Sequence, residues 1–152
     1  MAETLNTTLT AQVKGTAQNV LSLATATAPI NITYNQSLTS AAVSKLYSTT
    51  VSVSGGATIS LNSGTIMDIF GTALNYTKVM NIYVANNDPS NNIVVGGGTS
   101  PVPFVSGSIV VGPGGCCFLV NVSGYPVGSG QFNINFTSAS GNASTSIAVV
   151  GN

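Results

Sequence analysis

The sequence predicts an all-β protein, an antiparallel β-sandwich of jelly-roll-like type, and three observations lead there. Val, Ile, Thr and aromatic residues recur with a period of two, the mark of half-buried strands. Gly, Asn, Ser and Pro interrupt that alternation at the short spacing of sandwich strands. Hydrophobic residues make up 43% of the 152 residues, which suits one buried core and is unlike a disordered chain.

Taken in order, Leu5, Leu9, Ala11 and Val13 alternate with polar residues, and Leu21 and Leu23 resume the pattern before Pro29. This start is rich in Thr and Ala and carries a weak hydrophobic load. Residues 1–28 are therefore read as an N-terminal arm that pairs with a neighbour's sheet edge, or as ordinary edge strands, with the sandwich occupying 29–152. Ile30, Ile32 and Tyr34 give the next strand, followed by a loop or short helical turn around 37–40. Tyr47, Thr49, Val51 and Val53 form a strand that ends at Gly55-Gly56. Ala57, Ile59 and Leu61 are read as its hairpin partner, since a Gly-Gly pair supplies the positive φ of tight turns.

Ile66, Met67, Ile69 and Phe70 break the alternation with i, i+3, i+4 spacing, which predicts one short helical turn near 65–71, begun by Asp68 and ended by Gly71. Val79, Ile82 and Val84 restore the strand pattern and pair, through the polar turn 86–92, with Ile93 to Val95. A Gly/Pro loop spans 96–107. Ile109 to Val111 and Cys116 to Val122 then make the clearest hairpin, around Gly112-Pro113-Gly114-Gly115. Phe132, Ile134 and Phe136 alternate, Ser140-Gly141-Asn142 turns, and Ile147, Val149 and Val150 end the last strand. Phe132, Phe136 and Tyr83 sit within strand alternation and are placed in the core.

The chain carries six formal charges, three basic and three acidic, and no His or Trp: Glu3, Lys14, Lys45, Asp68, Lys78 and Asp88. Nucleophilic catalysis by Ser or Thr needs a base, and only the three lysines are on offer, none in a Ser-x-x-Lys setting. Glycosidase chemistry needs two facing carboxylates, which Asp68 and Asp88 do not suggest. The sequence thus predicts no enzyme, no catalytic residue, no cofactor and no metal ligand. The oxygen-rich run Asn86-Asn87-Asp88-Pro89-Ser90-Asn91-Asn92 offers a Ca²⁺ one carboxylate, and these are good turn residues in their own right. Gly96-Gly97-Gly98 and Gly112-Pro113-Gly114-Gly115 lack the Lys and following helix of a phosphate loop. Cys116 and Cys117 are adjacent on a strand, so they read as free thiols. The seven Asn sequons follow from the composition.

Zero net charge and the absence of Arg give no attraction to nucleic acid or to an anionic membrane surface. No run of about 18 apolar residues is present, and the first ten residues lack the pattern of a secretion signal. The expectation is a protein made in a cytoplasm without a leader.

One stretch goes beyond generic β pattern. Ile66-Met67-Asp68-Ile69-Phe70-Gly71, Leu74-Asn75-Tyr76, Lys78-Val79, Ile82-Tyr83-Val84-Ala85-Asn86, Val94-Val95-Gly96, Pro103-Phe104, Ile109-Val110-Val111, Pro113-Gly114-Gly115 and Gly124-Tyr125-Pro126-Val127 follow one another in an order that resembles the small β-sandwich virion structural proteins of tailed bacteriophages. The resemblance covers the central part of the chain and implies a capsid decoration or cement protein, a homo-oligomer, often a trimer at local symmetry axes, bound to a major capsid or other virion protein. Two other classes stay open: an extracellular filament or surface-layer subunit joined by strand exchange, and a glycan-binding fibre module.

Overall fold

The computed structural model describes residues 7–19, 26–38 and 43–152. They form ten strands: β1 (Thr7–Asn19), β2 (Ala26–Leu38), β3 (Lys45–Ser60), β4 (Ile66–Met67), β5 (Ala73–Leu74), β6 (Lys78–Asn86), β7 (Ile93–Gly96), β8 (Ser108–Val111), β9 (Cys116–Pro126) and β10 (Asn133–Gly151). The chain divides into two compact units, Met1–Ser40 and Ala41–Asn152.

The described residues of the first unit form a two-stranded antiparallel ribbon. Its ladder runs without a register shift from Thr7↔Leu38 to Asn19↔Ala26. The division between units falls after residue 40, where the sequence reading placed it after 28, because β2 continues through Pro29 and pairs with β1 along its whole length. Leu5, Leu21 and Leu23 lie outside the described residues.

The second unit is organised by its last strand. In a six-stranded sheet of order β8-β7-β10-β6-β9, β3 takes the other edge of β10. β3 pairs with β10 from Asn133↔Ser60 to Gly151↔Lys45. On the opposite edge, β7 pairs with residues 136–138 and β6 with residues 145–151. The sheet therefore forks along β10, and a break in the β3/β10 ladder separates the two halves. Between Thr137↔Gly56 and Asn142↔Ser54, residues 138–141 of β10 face only Gly55 of β3. Gly55 and Gly141 both hold positive φ, +75° and +74°, a backbone state that is cheap only for Gly. Strands that pass from one layer of a sandwich to the other turn such corners through bulges.

The insertion also changes which residues face inward. Ile134 and Phe136 are buried before the corner, whereas Ala143, Thr145, Ile147 and Val149 are buried after it. Both halves contribute to one cluster: Ile93, Val95, Ile134 and Phe136 from the first, Ile82, Val84, Ile147 and Val149 from the second. Each such buried aliphatic side chain contributes roughly 1.5–3 kcal/mol. The antiparallel sandwich expected from the alternation is thus present, built by folding one sheet over its own core.

Its connections differ from the local hairpins expected. Gly55-Gly56 and Ser140-Gly141-Asn142 are not hairpin turns; each lies inside one long strand, at the corner. β6 and β7 do not pair with each other but with β10, and β8 and β9 pair with β7 and β6. The Gly residues are spent on bending, so the partners come from far along the chain. The helical turn expected near 65–71 is also replaced. β4 and β5 pair as Ile66↔Leu74 and Met67↔Ala73, with a turn between them closed by the Gly71 N–H on the Asp68 carbonyl at 3.1 Å. Among the described residues the one helical turn is a 3-10 turn at Pro103–Val105.

Candidate assembly surface

Among the described residues no three His, Cys, Asp or Glu side chains gather as a metal site. Asp88 serves its own turn: its carboxylate accepts the N–H of Ser90 at 2.8 Å and of Asn91 at 2.7 Å. Those two backbone donors hold its pKa below the usual carboxylate range. The Asp68 carboxylate also braces its own turn, accepting the N–H of Phe70 at 2.9 Å and of Thr72 at 2.8 Å.

That second turn has a consequence for the surface. Met67, Ile69 and Phe70 are exposed, Ile69 by 77% and Phe70 by 69%. Periodicity placed them on a helical turn; the structure presents them at the tip of the β4/β5 hairpin, on a backbone fixed by the Asp68 carboxylate. The signal that could have identified this tip is Asp68-x-x-Gly71, a type I turn pattern. Asp68→Ala is expected to cost about 0.5–1.5 kcal/mol, the net value of such hydrogen bonds. Hydrogen exchange should show the Phe70 and Thr72 amides losing protection while the β6 and β10 amides keep theirs. Unchanged protection at Phe70 would mean that the carboxylate does not hold the tip.

A second apolar area lies on the outward face of β6 and β9. Tyr83 pairs in register with Phe118, and their rings stand 6.3 Å apart at 46°. Tyr83, placed in the core from its alternation, is 37% exposed, whereas Phe136 is in the core and Phe132 is half-buried. Tyr83 sits one residue from Ile82 and Val84, so it faces away from them. Cys116 and Val122 are also exposed on β9, and Cys117 is half-buried against the core. Both thiols are free. Burial, with Cys116 beside it as a lesser cause, pushes the Cys117 thiol up, away from the reactive thiolate.

The same sheet continues with small, uncharged residues. Ala148 of β10 aligns with Tyr83 and with Ser48 of β3; Ser146 aligns with Thr50, their hydroxyls 3.4 Å apart; Ser144 aligns with Ser52. Lys45 and Lys78 stand at the first positions of their strands, and Asp68 and Asp88 stand in turns. β3 pairs only with β10 among the described residues, which leaves a 16-residue edge whose one charged residue is Lys45. Soluble monomers usually protect such an edge with inward charges or Pro. β3 has neither beyond its first residue.

The loop 97–107 is built as part of the core and not as a mobile lid. Val102 and Val105 are buried, and Phe104 meets Tyr125 edge-on at 4.5 Å. Asn135 donates to the carbonyls of Gly97 at 2.6 Å and Thr99 at 3.2 Å while accepting from the Thr58 hydroxyl at 3.0 Å.

Comparison with protein-family models, with curated proteins and with solved structures finds no match.

Proposed function

We propose that this chain is a non-enzymatic virion structural protein, a decoration or cement protein that stabilises a phage head through contacts with its own copies and with the major capsid protein. The observation that carries the reading is the outward face and edge of the β3/β10/β6/β9 sheet, where Ser, Thr, Ala, Tyr and Phe stand in place of Lys and Glu. A surface of this kind forgoes the charge by which monomers stay apart. The resemblance of residues 66–127 to small virion proteins supplies the particle. The mechanism is mechanical: backbone pairing and apolar burial across an interface of about 1,600 Å² suffice for specific attachment.

Density-gradient purification of particles from cultures that express the coding sequence tests the reading. The chain is expected to band with the capsids and to stay with them in 1 M salt, roughly, because few charge pairs are there to be screened. Absence of the chain from the particles overturns it. Open fibres of the purified protein in negative stain would instead favour a filament subunit joined through the β3 edge.

A further inference from the structure

We infer that the outward face of β3, β10, β6 and β9 carries a binding site for a neutral oligosaccharide, centred on the Tyr83 ring. The inference goes beyond the proposed function: the sugar takes the middle of this face and leaves the β3 edge and the β4/β5 tip for attachment.

The register lays out the site. Tyr83 pairs with Phe118 on one side and with Ala148 on the other, and Ala148 in turn pairs with Ser48. Directly opposed residues share a face, so these four stand in one row across the sheet. Phe118 leans on Tyr83 with the rings 6.3 Å apart at 46°. Towards β10 and β3, the methyl of Ala148 and the short side chain of Ser48 do not reach high enough to cover the ring. Tyr83, 37% exposed, is thus an aromatic wall beside a floor of small side chains.

Hydrogen-bonding groups flank the wall. Successive rows on one face are two residues, or about 6.8 Å, apart along the strand. In the row on one side Thr50 stands opposite Ser146, their hydroxyls 3.4 Å apart, and the Asn87 Nδ2 donates to the Ser146 Oγ at 2.8 Å. Each hydroxyl can donate once and accept twice, so this chain of groups keeps capacity for a ligand. In the row on the other side Asn81 is 3% exposed, and its Oδ1 accepts no hydrogen bond. An acceptor buried without a partner is costly. A ligand hydroxyl brought to the foot of Tyr83 is a donor that would relieve it.

Chemistry selects the occupant. A pyranose offers a face of weakly positive C–H groups, which pack on the negative face of an aromatic ring, and a rim of hydroxyls that pair with hydroxyls and amides. No charged residue stands in the three rows, so an anionic sugar or a phosphate finds no cation to pair with. The two rings also fall well short of the roughly 800 Å² that each side of a standard protein interface buries. The spot suits a small neutral ligand that stacks and hydrogen-bonds at once.

A microarray of neutral oligosaccharides built from hexose, deoxyhexose and N-acetylhexosamine units, printed beside sialylated and sulfated ones and a set of proline-rich peptides, tests this with the labelled full chain. Concentration-dependent binding to neutral sugars is expected, without preference for the anionic ones. Tyr83→Ala is expected to weaken it about tenfold, the loss of one good stacking contact, and Tyr83→Phe to change it less than about threefold. Ala148→Leu, which fills the floor and removes no ring, should also weaken it about tenfold. Circular dichroism melting shows that each variant is folded, and Ala148→Leu keeps the test decisive should Tyr83→Ala not fold. Binding to no neutral sugar, preference for anionic sugars or for the peptides, or wild-type affinity in Ala148→Leu overturns the inference. A chain that binds neutral sugars and never bands with particles refutes the virion reading alone, and one that bands with them and binds no sugar refutes this inference alone.

Discussion

Gly96→Ala is expected to destabilise the second unit by more than about 3 kcal/mol, beyond the 1–2 kcal/mol that a left-handed residue costs by itself. Gly96 ends β7 with φ +100°. A Cβ there would run into the carbonyl oxygens of Gly107 and Val105 and come within 2.9 Å of the Val105 side chain. Neither carbonyl can withdraw cheaply, since the Gly97 N–H donates to Val105 at 2.9 Å and to Gly107 at 3.0 Å. Val105 is itself buried in the core, so yielding there would open a cavity. Gly55→Ala is the control: its φ is +75°, but nothing lies within 4 Å of the added Cβ. It should cost only the backbone term. Denaturant unfolding followed by tyrosine fluorescence, the sequence having no Trp, gives both values. Equal losses in the two variants would show that loop 97–107 is not packed against β7 as described.

The same contrast explains what the sequence makes legible. Period-two alternation identifies strands because burial on one face is a local property of the chain, and the segments of β6, β7, β8 and β9 lie where the pattern puts them. The polar run 86–92 and the Gly-Pro-Gly-Gly run at 112–115 are turns for equally local reasons. Pairing is not local. Gly55 and Gly141 have the composition of hairpin turns, yet they face one another across a corner, and only the 19-residue course of β10 reveals it. The shift from Ile134 and Phe136 to Ala143 and Ile147 as inward residues was a visible clue, because a change of parity within one strand requires a bulge. The exposed tip was missed for a related reason: Ile66, Met67, Ile69 and Phe70 satisfy a helical spacing that four residues are too few to test. The charge-poor outer surface, by contrast, follows from composition alone and needed the fold only to show where it lies.

The second large effect is expected at Asn86, a buried polar side chain that joins two turns. Its Nδ2 donates to the carbonyls of Asn91 at 2.7 Å, Val111 at 3.0 Å and Gly112 at 3.0 Å, and its Oδ1 accepts the Asp88 N–H at 3.0 Å. Its main-chain N–H reaches the Gly115 carbonyl at 2.8 Å, and the Gly114 N–H returns to the Asp88 carbonyl at 3.1 Å. The turns 86–92 and 112–115 are thus fastened to one another at the ends of β6 and β8. Asn86→Ala removes the donors and leaves buried carbonyls unsatisfied at about 1–3 kcal/mol each, so a total loss of about 2–4 kcal/mol is expected. Asn86→Asp separates shape from chemistry: it keeps the volume but, when ionised, offers oxygen where the three carbonyls require a donor. At neutral pH it should be at least as damaging as Ala. Were Asn86→Asp to retain wild-type stability, the site would be held by packing and not by its hydrogen bonds. A loss below about 1 kcal/mol for Asn86→Ala would mean that water takes over the amide's role.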